Sequence, residues 1–275
     1  MVYIFMGYKF IMNNTLSIKS AVLVVIASIM SAFLAGAVVL GFGLSNPDAP
    51  QKTYTFLSFI IGQSFMLVPL IWFLISKKQP ILKTLRIRLV PVSTIYYTVL
   101  LSLGIIILSD ELDKIIQMFI DAPEYVIDLN GLLKPESLLG YFLLFTAVVV
   151  IAPLGEELLF RGFFQQILEK HWKDVTRAVL MTAIIFSFIH MNPFWFAQIY
   201  ILGIILGFLA WKTKSVLPSL ILHSLNNLVA LILSFTIDAE HTFYIWNGHI
   251  APWILLIAVI FVVSGFKVIN RDYSN

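Results

Sequence analysis

Long apolar runs separated by short polar connections recur from residue 21 to residue 266. A helix needs about 20 predominantly apolar residues to cross a bilayer. Eight runs meet that need, at 21–44, 54–76, 90–109, 138–159 with a polar-edged extension to 167, 175–191, 194–211, 216–235 and 250–266. The pattern predicts an all-α fold, a polytopic membrane helical bundle of about eight transmembrane helices. It is read as a single membrane domain over 1–275. The run at 21–44 follows Lys9 and Lys19, and Ala35-Gly36-Ala37 is similar to a signal-peptidase site. The run continues past that site and is too long for a signal-peptide core, so it is read as a retained span.

Composition agrees. Sixty per cent of the residues are hydrophobic, 12% are charged, and the mean hydropathy is +0.94. Soluble domains are about 45–50% apolar and about 25% charged, which excludes a soluble enzyme and a disordered chain. The net charge is +3, yet no basic stretch is interleaved with aromatics, so nucleic acid is not an expected partner. Cysteine is absent, which excludes disulfides, thiolate metal sites and cysteine nucleophiles. Threading eight spans from an inside N-terminus puts every basic residue on the inner side except Lys52, Lys114 and Lys134. Both termini are therefore expected in the cytoplasm, in a multi-pass protein of the cell membrane. The segment 110–136 is acidic, falls outside, and is read as a solvated face.

Charges inside a bilayer are costly, so ionisable residues within the spans carry the most information. They gather in the second half of the chain. In Glu156-Glu157-Leu158-Leu159-Phe160-Arg161, Glu157 and Arg161 are four apart with the acid first, the favourable order for a helical ion pair. Glu156 points about 100° away and has Phe160 at the corresponding position, which leaves a free carboxylate. Pro153 removes a backbone donor just before the pair. Phe186 and His190 share one helix face, and so do His223 and Asn227. At 1.5 Å per residue from the nearest inner polar residue, Glu156, His190, His223 and Asn227 lie at depths of about 21, 24, 14 and 20 Å. The convergence points to one reaction site, whereas each residue alone is readable as helix packing or hydrogen-bonding glue. His171, His241 and His249 fall in loops and are expected to face solvent.

Several intramembrane chemistries are excluded. There is no His-Glu-x-x-His pair, no Gly-x-Ser-Gly nucleophile and no phosphate loop, and Gly41-Phe42-Gly43-Leu44 has leucine where an aspartyl protease needs its acid. A Glu, His, His, Asn set suits water activation. Glu156 accepts a proton from water, His190 orients it, and His223 with Asn227 donates to an oxyanion. Glu156, His190 and His223 also make an acceptable set for a divalent metal such as zinc, so a metal-free and a metal-bound site both stay open.

The three motifs Glu156-Glu157-x-x-x-Arg161, Phe186-x-x-x-His190 and His223-x-x-x-Asn227 resemble the signatures of the CPBP intramembrane proteases. That family joins type II CAAX prenyl endopeptidases with bacteriocin-processing and immunity proteins and the lysostaphin resistance protein A group. The resemblance places a catalytic core at 138–235. It implies Glu156 and His190 as the water-activating pair and His223 with Asn227 as oxyanion donors. Glu157, Arg161 and Phe186 would support them. It implies a metalloprotease-like hydrolase, an intramembrane endopeptidase acting on membrane-associated or prenylated peptides, with membrane lipids and a peptide or protein substrate as partners. No cofactor is required by the preferred, metal-free version. A non-catalytic membrane immunity or scaffold protein, and a small-solute transporter, are the alternative readings.

Overall fold

The computed structural model describes residues 16–46, 48–121, 123–124, 134–236 and 243–274. It is an all-helical membrane bundle. The helices are α1 (Ile18–Leu44), α2 (Gln51–Ser76), the short α3 (Ile81–Thr84), α4 (Val92–Gln117), α5 (Leu138–Trp172), α6 (Val175–Phe188), α7 (Phe196–Thr213), α8 (Leu217–Thr236) and α9 (Pro252–Asp272). A two-stranded antiparallel hairpin, β1 (Ile245–Trp246) and β2 (His249–Ile250), precedes α9.

Local chemistry sets the ends. Ser17, Ser137 and Asp174 cap α1, α5 and α6 by accepting from the backbone N–H three residues on. Lys173 and Lys214 adopt left-handed backbone conformations that end α5 and α7 abruptly. Neighbouring helices then pack antiparallel at very short range. A Cβ added at Gly62 of α2 would lie 2.8 Å from the carbonyl oxygen of Ala32 on α1. Small residues allow such backbone contact where lipid supplies no hydrophobic drive between helices.

Among the described residues, seven helices are long and apolar enough to cross a membrane. The difference from the eight expected is α6, which has 14 residues and stops at Phe188 instead of running to 191. Met191 is left-handed, Asn192 Oδ1 accepts from the N–H groups of Phe194 and Trp195, and Pro193 disfavours helical geometry in the residue before it. His190 thus sits just beyond the helix end. At this point the non-helical backbone lines a cavity, where a membrane protein tolerates it.

The two ends of the bundle differ in charge. At one end Val216 N–H donates to Arg86 O, Ser215 Oγ donates to Arg88 O, and Arg86 pairs with Glu169, so the basic connections meet. At the other end Asp110, Glu111 and Asp113 are not the solvated face expected of the acidic segment, whereas Asp121, Glu124 and Glu136 are exposed as expected. The helix α4 runs on to Gln117, and its carboxylates dock other elements. Tyr244 donates to Asp110, His249 Nδ1 and Ile250 N–H donate to Glu111, and Gln198 donates to Asp113. Burial and the Asp110 charge push the Tyr244 phenol above its usual range, so it remains a donor. His249 is accordingly half-buried rather than free in solvent, His171 is exposed in the last turn of α5, and His241 lies outside the described residues.

The core lies around α5, where residues 155–168 are all buried between α1, α2 and α6. The outward faces carry exposed apolar side chains such as Leu23, Leu34, Phe42, Trp72 and Leu256. This is the burial pattern of a protein solvated by lipid.

Candidate active site

The helix that carries the glutamates is irregular on both sides of them. Residues Thr146–Ile151 and Leu158–Phe164 are π-helical and flank the α-helical turn Ala152–Glu157. π-bulges are frequent at functional sites because they rotate side chains out of ordinary register. In the first bulge Ala152 N–H bonds Ala147 O, five residues back. The next rung would run from residue 153 to Val148 O, but Pro153 has no N–H. Asn227 Nδ2 on α8 donates to that carbonyl at 3.0 Å instead. One of the two N–H groups of the sequence-predicted oxyanion donor is therefore used to repair the helix.

Glu157 and Arg161 form the expected ion pair, with Nη1–Oε1 at 2.8 Å, and both are fully buried. The pair is embedded in further contacts. Arg161 Nη2 donates to Gly203 O on α7 at 3.3 Å, and its guanidinium lies 4.1 Å from the centre of the Phe186 ring. Phe186 also meets His190 and His223 edge-on, at centroid distances of 4.7 and 5.8 Å. All three motifs thus converge on this one ring. Gly155 and Gly162, on either side of the pair, pack against the Gln63 and Leu85 carbonyls.

The two imidazoles are held differently. His190 is exposed, and its Nδ1 lies 2.7 Å from Phe186 O. A carbonyl only accepts, so Nδ1 carries a proton and Nε2 of the neutral ring is a free acceptor. His223 is buried, and its Nδ1 lies 3.0 Å from Glu157 Oε1. Its Nε2 faces Glu156 Oε2 at 3.7 Å. Glu156 makes no side-chain hydrogen bond among the described residues, but an imidazole stands close to it. The nearest side chain of opposite character comes from α8, three helices further along the chain, which helix periodicity cannot report.

Two cavities meet at these residues. One, of about 350 Å³, is lined by Glu156, His190, His223 and Asn227 together with apolar residues of α5, α7 and α8. The other, of about 500 Å³, is walled mainly by α1 and α2 and is also bordered by Glu156 and His190. Among its lining residues are Gln63 and Ser58, two polar positions within the second span that sequence reading passed over. Their only signal was a polar side chain inside an apolar run.

The proposed metal set does not fit this arrangement. Among the described residues no group of three His, Asp or Glu side chains is gathered as a metal cluster.

Fold and site together define an integral membrane helical bundle with a buried carboxylate–imidazole centre. Residues 138–229 match the family model described as Type II CAAX prenyl endopeptidase Rce1-like, so the resemblance carried by the three motifs holds across about a third of the chain. All seven predicted site residues fall inside that stretch. The chain is also similar to UPF0177 protein YbdI of Lactococcus lactis subsp. lactis (strain IL1403), 30% identical over 103 residues. That match covers 37% of this chain and 55% of the relative, so the chain spans about half the length of the curated relative it matches. No solved structure matches the chain.

Proposed function

We propose that the protein is an intramembrane endopeptidase that hydrolyses peptide bonds of membrane-associated substrates with water activated by its own side chains. The observation that carries this is the position of Glu156 and His190 at the junction of two cavities, with His223 Nε2 directed at Glu156. A peptide lying through both cavities passes its scissile bond over that junction.

Water held between Glu156 and His190 Nε2 attacks the carbonyl carbon, and its proton passes to Glu156. The carbonyl oxygen becomes an oxyanion, stabilised by the second N–H of Asn227. His223 adds a donor from Nε2 when its ring carries both protons, since Nδ1–H stays on Glu157. Glu156 then delivers the proton to the departing amine as the C–N bond breaks. Glu157 and Arg161 act by holding His223 in place, and Phe186 by holding both rings. The catalytic core is assigned to 138–235 within one membrane domain. No step needs a metal.

The larger, apolar cavity suits a substrate with a lipid or apolar side chain near the cleaved bond, which is compatible with a prenylated peptide. The clustering of basic connections at one end of the bundle supports cytoplasmic termini in the cell membrane.

The test is Glu156→Gln, which keeps volume and hydrogen bonding but removes the base. Wild type and variant are expressed at equal levels, and peptide termini in the membranes are mapped by mass spectrometry. New ends that appear only with wild type are expected. Identical end maps, with the cellular phenotype rescued by both proteins, overturn the protease reading in favour of an immunity or scaffold role.

A further inference from the structure

A second site lies at the basic end of the bundle, away from the glutamates. A cavity of about 430 Å³ is lined by Lys83, Arg86, Arg88 and Lys214, together with Leu82, Ile87 and Gln166. Four cations therefore face one space. The single carboxylate close by, Glu169, is already occupied. It takes both guanidinium nitrogens of Arg86 and accepts from Gln165. Among the described residues no carboxylate forms an ion pair with Lys83, Arg88 or Lys214. Lys214 does lie over the Trp211 ring, 5.1 Å from its centre.

The site is built, not an accident of floppy loops. Arg86 is 6% exposed and is fixed by Glu169 and by the Arg161 carbonyl. Arg86 and Lys214 both hold left-handed backbone conformations, with φ of 53° each. That conformation is strained for a non-glycine residue. Such strain persists only where the surroundings impose it. Here they do, because loop 85–89 is clasped to loop 213–216. Val216 N–H donates to Arg86 O, Ser215 Oγ to Arg88 O, and Arg88 to Thr213 O. Burial, with the neighbouring Arg86 and Arg88 charges, holds the Lys214 ammonium below the ordinary lysine value despite Glu169. An anion in the cavity relieves that repulsion.

Its surroundings say where the anion comes from. The apolar side chains of Leu82, Ile87, Leu89 and Val92 are exposed beside the cations, Leu89 to 91%. Alternating exposed apolar and cationic residues sit at the boundary between acyl chains and headgroups. Trp211 belongs to the same level. We infer that this cavity binds the phosphate of an anionic phospholipid headgroup, with Leu82, Ile87 and Leu89 against the acyl chains. It is a lipid site separate from the reaction centre and independent of the assigned activity.

The test uses the full chain in phosphatidylcholine nanodiscs with increasing phosphatidylglycerol, scored by native mass spectrometry for lipid retained after release from the disc. Lys83→Gln/Lys214→Gln is the comparison, because both side chains are exposed and neither holds a loop together; circular dichroism checks its helix content. Wild type is expected to retain phosphatidylglycerol over phosphatidylcholine, and the double variant to lose roughly 30-fold in apparent affinity, from two lysines near the surface. Equal retention by wild type and variant, or no preference for the anionic lipid, overturns the site. Inorganic phosphate in pure phosphatidylcholine discs is the third arm. If it displaces retained lipid and stabilises wild type alone at millimolar concentration, the site is for soluble phosphate and the lipid assignment is overturned.

Discussion

The two walls of the candidate reaction centre are built on different principles. The wall from α5 to α8 is polar and fully interlocked. Arg161, Glu157, His223, Phe186 and His190 form a continuous chain of contacts, and Asn227 mends the gap left by Pro153. The opposite wall, from α1 and α2, is apolar, holds together by glycine-mediated backbone contact, and adds no ionisable group to the centre. Chemistry needs particular atoms at particular distances, so the first wall leaves motifs in the sequence. Selecting an apolar substrate needs only volume, which many sequences supply. The family match runs over 138–229, on the polar wall, while the larger cavity lies mostly outside it.

The comparison breaks most severely at Arg161. Arg161→Ala leaves Glu157 buried without its counter-charge and takes the guanidinium from the Phe186 face. Removing one partner of a buried pair costs about 3–5 kcal/mol. Unfolding of the purified protein in mixed micelles should shift by that amount. A loss below about 1 kcal/mol would mean that Glu157 is rehydrated through the cavity, and that the polar wall is not the interlocked structure described here.

Asn227 sharpens the same wall by separating two duties. Asn227→Ala leaves Val148 O without a donor, at a cost of about 1–3 kcal/mol. Adding Pro153→Ala to that chain supplies an N–H at the missing rung, so stability should return. Cleavage should not return, since the second N–H, proposed as the oxyanion donor, is still lost. Recovery of both together would show that Asn227 acts only through the helix, and its place as an oxyanion donor would fall.

These two residues also show what the sequence could and could not convey. The spans were legible because a bilayer demands long apolar runs. The Glu157–Arg161 pair and the Phe186–His190 face were legible because helical spacing is local. The end of α6 was missed because the apolar pattern runs through Phe188 to Met191, whereas backbone preferences at Asn192-Pro193 decide the stop. The docking of the carboxylates of 110–113 leaves no sign in the sequence, because the hairpin and α7 groups that claim them are distant along the chain. The His223–Glu157 contact, 66 residues apart, and the Asn227 repair of Val148 belong to the same class. Tertiary pairing leaves no periodic trace, so the residues that gather at the site are legible one by one while their wiring is not.

The smallest effect is expected on the apolar wall, and it tests whether that wall does no more than hold substrate. Ala37 lines the larger cavity from α1 and borders open space. Ala37→Phe narrows the cavity without touching Glu156 or His190. Contacts that are equal in ground and transition states alter KM and leave kcat unchanged. A pocket filled by a few extra carbons discriminates by roughly 10–200-fold, so KM for a peptide found by end mapping should rise about tenfold. Leu34→Phe, on the lipid-facing side of the same helix and 63% exposed, should change neither constant. If Ala37→Phe lowers kcat as much as it raises KM, the wall takes part in forming the transition state, and the division between a chemical wall and a binding wall fails.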